Sequence, residues 1–171
     1  MKIRFSKSTQ PKSGVVVIFA AEGMGLEGPA EALNKALEGK ILKAAKAARF
    51  DAKRDQILDI LEPGNGIQRL LVAGLGKTAQ LTAREIELLG GTIAGALQSA
   101  KADSAVILAP SLGNKELSDS DAAALLASGA ALRVYNFAGY KSKKPEKTTK
   151  LESLTFLCAK PDQAKANSIA S

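Results

Sequence analysis

The sequence predicts a three-layer α/β domain built on a mixed sheet. Three observations lead there. Residues 14–20 (GVVVIFA) form a continuous β-branched run, the signature of a strand buried on both faces. Later apolar runs alternate with stretches of helical periodicity, as in a layered α/β domain. Two strand-like runs flank the turn Pro63, Gly64, Asn65, Gly66, so one pair of strands reads as a hairpin.

The elements follow in order. Residues 2–6 alternate charged and apolar, like a half-buried strand. Pro29 opens a helix that reaches about Leu37, because proline suits the first helical position. Gly39 interrupts it, and a basic helical stretch covers residues 40–50. Residues 55–61 and 69–73 are the hairpin strands. A long helix covers residues 82–100, with Ile86, Leu89, Ile93 and Leu97 at helical spacing. Gly90, Gly91 and Gly95 would weaken a free helix and so indicate close packing. Residues 105–109 are another buried strand. Ser118, Asp119, Ser120 and Asp121 start a helix reaching about Val134. Residues 136–150 read as a polar loop, residues 151–159 as a last strand, and residues 161–171 as the beginning of a helix.

Composition narrows the chemistry. A chain of 171 residues suits one domain. There is no histidine, which excludes a Ser-His-Asp triad, a Cys-His pair and His-ligated metals. A single cysteine, Cys158, excludes an internal disulfide framework and a cysteine zinc cluster. The longest apolar run spans residues 15–21, too short for a membrane span. The first residues alternate charge and apolarity without a signal-peptide core, so a cytoplasmic protein without membrane contact is expected.

Several motifs have competing readings. Gly74, Leu75, Gly76, Lys77 and Thr78 follow a strand like a phosphate-binding loop. Yet a Walker A loop needs glycine where Leu71 stands, and the acidic ribose partner of a dinucleotide site is missing. The favoured reading is a tight turn approached closely by another element. Net charge is +7, and residues 141–150 supply +4 of it through Lys141, Lys143, Lys144, Lys147 and Lys150 against Glu146. Phe137 and Tyr140 precede them, giving the mixture of rings and cations found in nucleic-acid contacts. These five lysines are the candidate DNA contact, beside the alternative of a solvated loop. Lys40, Lys43, Lys46, Arg49, Lys53 and Arg54 form a second basic set, read as an exposed helix packed by its alanine side. Asp119 and Asp121 read as helix-start residues, and no carboxylates cluster as metal ligands. Cys158 reads as a small buried hydrophobe.

The order of these segments resembles the N-terminal domain of leucyl aminopeptidases, the cytosol aminopeptidases with a two-metal site. The resemblance rests on residues 69–77 (RLLVAGLGK), 90–97 (GGTIAGAL), 129–144 (GAALRVYNFAGYKSKK), 151–157 (LESLTFL) and 163–171 (QAKANSIAS), and so covers nearly the whole chain. It implies a macro-domain-like α/β/α fold. It divides the chain into a non-catalytic domain over residues 1–160 and, over residues 161–171, the start of a helical linker to a catalytic domain. That domain would hold two divalent cations, zinc or manganese, and its NTDAEGR signature is not in this sequence. The resemblance further implies a hexamer in the parent metallo-exopeptidase, which removes N-terminal amino acids from peptides. No catalytic or metal-binding residue of that family is carried onto this chain. The alternative is a binding module for DNA or for a nucleotide such as ADP-ribose.

Overall fold

The computed structural model describes residues 1–7, 9–26, 28–110, 112, 117–140 and 151–170. In chain order the elements are β1 (Lys2–Lys7), β2 (Gly14–Ala20), α1 (Pro29–Ala36), α2 (Lys40–Ala47), β3 (Ile57–Gly64), β4 (Ile67–Gly74), α3 (Ala83–Ser99), β5 (Ser104–Leu108), α4 (Asp119–Tyr140), β6 (Ser153–Cys158) and α5 (Pro161–Ala170). The strands form one sheet in the order β1-β6-β5-β2-β4-β3. The hairpin β3–β4 is antiparallel, and every other pair is parallel. The predicted mixed sheet is therefore present.

Alternation along the central strands builds two cores. Val17 and Phe19 of β2 face one side with Leu71, Ile107, Phe156 and the apolar faces of α3 and α4. Val16, Ile18 and Ala20 face the other with Leu70, Val72 and residues of α1 and α2. This two-sided burial is why β2 reads as an unbroken apolar run. Helix α5 lies on the α4 side, with Ala164 fully buried among Ala109, Ala123 and Cys158. At the β1 edge Phe5 pairs in register with Phe156, and their rings stack at 5.6 Å.

Three helices end in Schellman motifs, each with a charged residue where glycine is usual. After α1, Glu38 (φ 57°) donates to Lys35 O and Gly39 donates to Asn34 O at 2.8 Å. After α2, Arg49 (φ 54°) donates to Lys46 O and Phe50 donates to Ala45 O. After α3, Lys101 (φ 58°) donates to Gln98 O and Ala102 donates to Leu97 O. The second motif stops α2 at Ala47, earlier than the predicted Phe50. The start of α2 is capped from its neighbour: buried Asn34 accepts from the amides of Ile41 at 3.2 Å and Leu42 at 3.4 Å. Gly39 has no side chain to do this.

Two other expectations change. Residues 136–140, read as loop, continue α4 to Tyr140. Strand β3 runs past Pro63 to Gly64, with a register shift between Leu61 and Gly64. Proline is tolerated there because β3 is an edge strand with no partner on its outer side. Packing of α2 also differs in detail: Ile41 and Ala45 are buried, whereas Ala47 and Ala48 are exposed.

Helices α3 and α4 touch main chain to main chain. A Cβ on Gly90 would lie 2.2 Å from Leu126 O, and one on Gly129 would lie 1.7 Å from Glu87 O. Gly91 has ordinary room, 3.5 Å from Gly129 O. Gly90→Ala and Gly129→Ala are each expected to destabilise by about 1–3 kcal/mol through forced separation of the helices. Gly91→Ala is expected to be neutral or to stabilise by up to ~1 kcal/mol. Urea denaturation of the three variants decides this. At the helix ends, glycine removes left-handed strain of about 1–2 kcal/mol and adds unfolded-chain entropy of ~0.4–1 kcal/mol. Lys101→Gly and Arg49→Gly should therefore raise stability by up to about 1 kcal/mol each, measured the same way.

Candidate functional site

The chain leaves β2 toward β4 on one side and later returns to β5 on the other. The carboxyl ends of β2 and β5 thus form a topological switch point, where open α/β sheets place their ligands. A crevice lies there. Phe19 and Ala21 bound it from β2, Ala109 and Pro110 from the end of β5, and Leu75 and Thr78 from the end of β4. As lined by the described residues it encloses about 30 Å³. That is roughly the share of one liquid water, against ~300–1,000 Å³ for typical ligand sites. Among the described residues no charged side chain lines it.

The crevice is narrow because three segments are stitched together at the end of β4. The amide of Gly74 donates to Gln56 O at 2.8 Å, Leu75 to Ala20 O at 2.9 Å and Gly76 to Ala52 O at 3.1 Å. The amide of Glu22 donates to Gly76 O, and that of Gly23 to Asp51 O. A phosphate-binding nest needs successive amides free to face an anion. Here three successive amides are already engaged by carbonyls. The glycines serve close approach instead: a Cβ at Gly74 would lie 2.1 Å from Lys53 O. Gly76, at φ 67°, passes against Arg54. The tight-turn reading therefore describes this motif.

The remaining polar candidates have structural partners. Arg54 forms an ion pair with Glu85, at the start of α3. Glu85 also caps that helix with Thr82: its amide donates to Thr82 Oγ1 at 3.2 Å. Ser118 and Asp121 form a reciprocal capping box, each amide donating to the other's side chain at 3.1 Å. Asp121 also accepts from Asn167 Nδ2 at 2.7 Å, fastening α5 to α4. Asp59 pairs with Arg69 across the hairpin at 3.5 Å. Lys40, Lys43, Lys46, Arg49, Lys53 and Arg54 are all exposed on α2 and just beyond it. Lys141, Lys143, Lys144, Lys147 and Lys150 lie outside the described residues.

The two divalent cations implied by the resemblance require converging donors. The chain has no histidine, and its one thiol is buried. Among the described residues no three carboxylate or thiol groups come together. The donors among the described residues do not fit a metal pair. Among the described residues, no helix is long and apolar enough to cross a membrane.

The site thus defines a class by its framework: a three-layer α/β/α domain of macrodomain type. A Trypanosoma brucei macrodomain solved with ADP-ribose superposes with a TM-score of 0.68 at 13% identity, covering 98% of this chain and 68% of that one. A tomato leucine aminopeptidase variant superposes with a TM-score of 0.75 at 21% identity, covering 99% of this chain and 35% of that one. Both likenesses show the fold. Family membership comes from sequence. Residues 15–144 match the profile "Cytosol aminopeptidase family, N-terminal domain". A probable cytosol aminopeptidase of Rhizobium etli (strain CIAT 652) is 36% identical over 168 residues, covering 96% of this chain and 33% of that protein. One from Rhodopseudomonas palustris (strain BisA53) is 36% identical over 156 residues, covering 90% of this chain and 30% of that protein. The chain belongs to the cytosol aminopeptidase family and corresponds to its N-terminal domain. It spans about a third of the length of these relatives.

Cys158, at the end of β6, is buried with Ala109, Ala123 and Ala164. Burial raises its thiol pKa above the ordinary 9.0; a backbone hydrogen bond from Lys160 lowers it, and Asp119 raises it. The folded state therefore favours the neutral thiol. That contribution is full below the ordinary pKa and is lost as pH rises through the raised value. Folded protein at pH 8 should react with iodoacetamide at least about tenfold more slowly than unfolded protein. Stability should fall above pH 9, and Cys158→Ala should flatten that slope. Alkylation kinetics and denaturation at stepped pH measure both.

Proposed function

We propose that this chain is the non-catalytic N-terminal domain of a cytoplasmic metal-dependent aminopeptidase, flanking the catalytic domain and helping to organise the oligomer. The observation that carries this reading is the match to the family's N-terminal domain by a chain one-third as long as its relatives. It is supported by the placement of donors, because a two-metal peptidase needs several converging ligands and among the described residues no three carboxylate or thiol groups come together. On this reading residues 1–160 are the domain, and α5 opens the connection to the catalytic domain, whose zinc or manganese pair and peptide specificity reside there. The docking of α5 through Asn167 and Ala164 favours a stiff connection over a free tether.

The purified chain is expected to release no product from leucyl p-nitroanilide with or without added Mn²⁺ or Zn²⁺. Metal-dependent turnover that copurifies with the chain would overturn this reading.

A second reading draws on the charge of residues 141–150. The five lysines would contact DNA phosphates, each adding about 0.9 to the salt slope of binding. Fluorescence anisotropy with duplex DNA measures that slope. Under this reading the slope is steep and collapses when all five lysines become Gln. Binding indifferent to salt or to the substitutions removes it. ADP-ribose is the less favoured ligand, since the family is the aminopeptidase one and the crevice at the strand ends, as lined by the described residues, encloses about 30 Å³.

A further inference from the structure

Helix α5 is joined to the domain differently from α3 and α4. Its ten residues, PDQAKANSIA, include one large aliphatic side chain, Ile169, and so lack the apolar stripe of a core-facing helix. Over residues 161–167 only Ala164 is buried, while Asp162, Gln163, Lys165 and Ala166 are exposed. Isolated helices shorter than about 12–15 residues are marginal in water, so α5 depends on its docking. That docking is local. Ala164 packs with Ala109, Ala123 and Cys158. Asn167 Nδ2 donates to Asp121 at 2.7 Å, and Lys165 is also engaged within the chain. Where the helix begins, Ser120 Oγ donates to Lys160 O at 3.4 Å. Pro161 stands at the first helical position and has no amide to carry hydrogen bonding on from β6. Lys160 and Pro161 therefore mark a break about which the helix can turn. The thiol of Cys158 is sealed at this place, and Ala164 is the part of its cover that α5 supplies.

We propose that α5 opens as a unit about Lys160 and Pro161, leaving α4, β1 and β6 while the six-stranded sheet stays folded, and that this minority state bares Cys158. Few buried apolar contacts and side-chain hydrogen bonds at the surface are the marks of a segment that opens locally. The docked state is the stiff connection, and the open state is its sparsely populated alternative. Opening breaks the contacts of one helix, whereas the two cores of the domain lie between the sheet and the other helices. It therefore costs only part of what global unfolding costs. The consequence for function rests on the reading that α5 leads to a catalytic domain. On that reading the opening changes how the two domains are set against each other, and the Asn167–Asp121 bond is the latch that holds one setting.

Cys158 is the single cysteine of the chain, so thiol labelling of the purified protein reads this site alone. Labelling with dithionitrobenzoate is followed for the parent chain and two variants. Asn167→Ala removes the latch and should speed labelling about tenfold, the worth of one hydrogen bond to a carboxylate. Val72→Ala weakens the core on the opposite face of the sheet. It lowers the docked and open states alike relative to the unfolded chain, so labelling should stay within about twofold of the parent while urea unfolding moves to lower concentration. In the parent, labelling should rise only weakly with urea below the unfolding transition, because one helix exposes little surface. Acceleration by Val72→Ala in proportion to its lost stability means that the thiol is reached by global unfolding, and overturns the proposal. A rate indifferent to Asn167→Ala overturns it too, as does a urea slope equal to that of global unfolding. The slope is measured on the parent, so it decides even where a variant does not fold. Peptidase turnover by the chain would refute the functional reading while leaving the opening of α5 intact.

Discussion

Two helix backbones in contact set the geometry of one whole layer. Gly90 and Gly129 remove the side chains that would hold α3 and α4 apart, and each main chain then meets a carbonyl of the other. Helices usually pack about 8–10 Å apart, with side chains deciding the distance. With main chain against main chain at these two points, α3 and α4 act as one slab over the sheet. Leu89, Ile93 and Leu97 of α3 and Leu126 of α4 then reach a common core with Val17, Ile107 and Phe156.

The end of β4 shows how similar sequences can serve opposite ends. Glycine after a strand invites an anion because it lets backbone amides converge without side chains. At Gly74 and Gly76 the same freedom lets a second backbone pass close by, and its carbonyls take the amides first. Ala52 on that passing segment is fully buried at φ 56°, so the local strain is held in place by the hydrogen bonds around it. What decides between cradle and turn is whether another chain segment reaches those amides. That is a tertiary fact, absent from the motif itself.

Much of the fold was legible because two-sided burial writes continuous apolar runs and one-sided burial writes helical periods. Strand β2 and helix α3 are read that way; α3 begins at Ala83 with Thr82 as its cap, one residue after the expected start. Helix ends were harder. Glu38, Arg49 and Lys101 adopt left-handed conformations usually held by glycine, so no glycine marks the stop of α2 at Ala47. The C-terminal turn of α4 was hidden by polar residues after Val134. Pro63 suggested a turn because nothing local reveals that its strand is at an edge. Asn34 was missed as a cap because its partners lie on the next helix. The crevice was not visible either, since three strand ends and the loops after them supply its walls. The capping role of Asp121 was visible, because Ser118 and Asp121 stand at the spacing that a reciprocal cap requires.

Strand β1, first in the chain, pairs with β6, the last strand. During synthesis β1 therefore emerges long before its partner exists. Closing a loop that spans nearly the whole domain costs on the order of 4 kcal/mol in chain entropy before any contact compensates it. The hairpin β3–β4 and its helices can assemble early, but the stack of Phe5 on Phe156 must wait. Until residue 158 has left the ribosome, β5 is a bare edge and the alternating face of β1 has no sheet to join. The domain is thus committed to completing its fold only once β6 is available, with Lys2, Arg4 and Lys7 keeping the waiting strand in water.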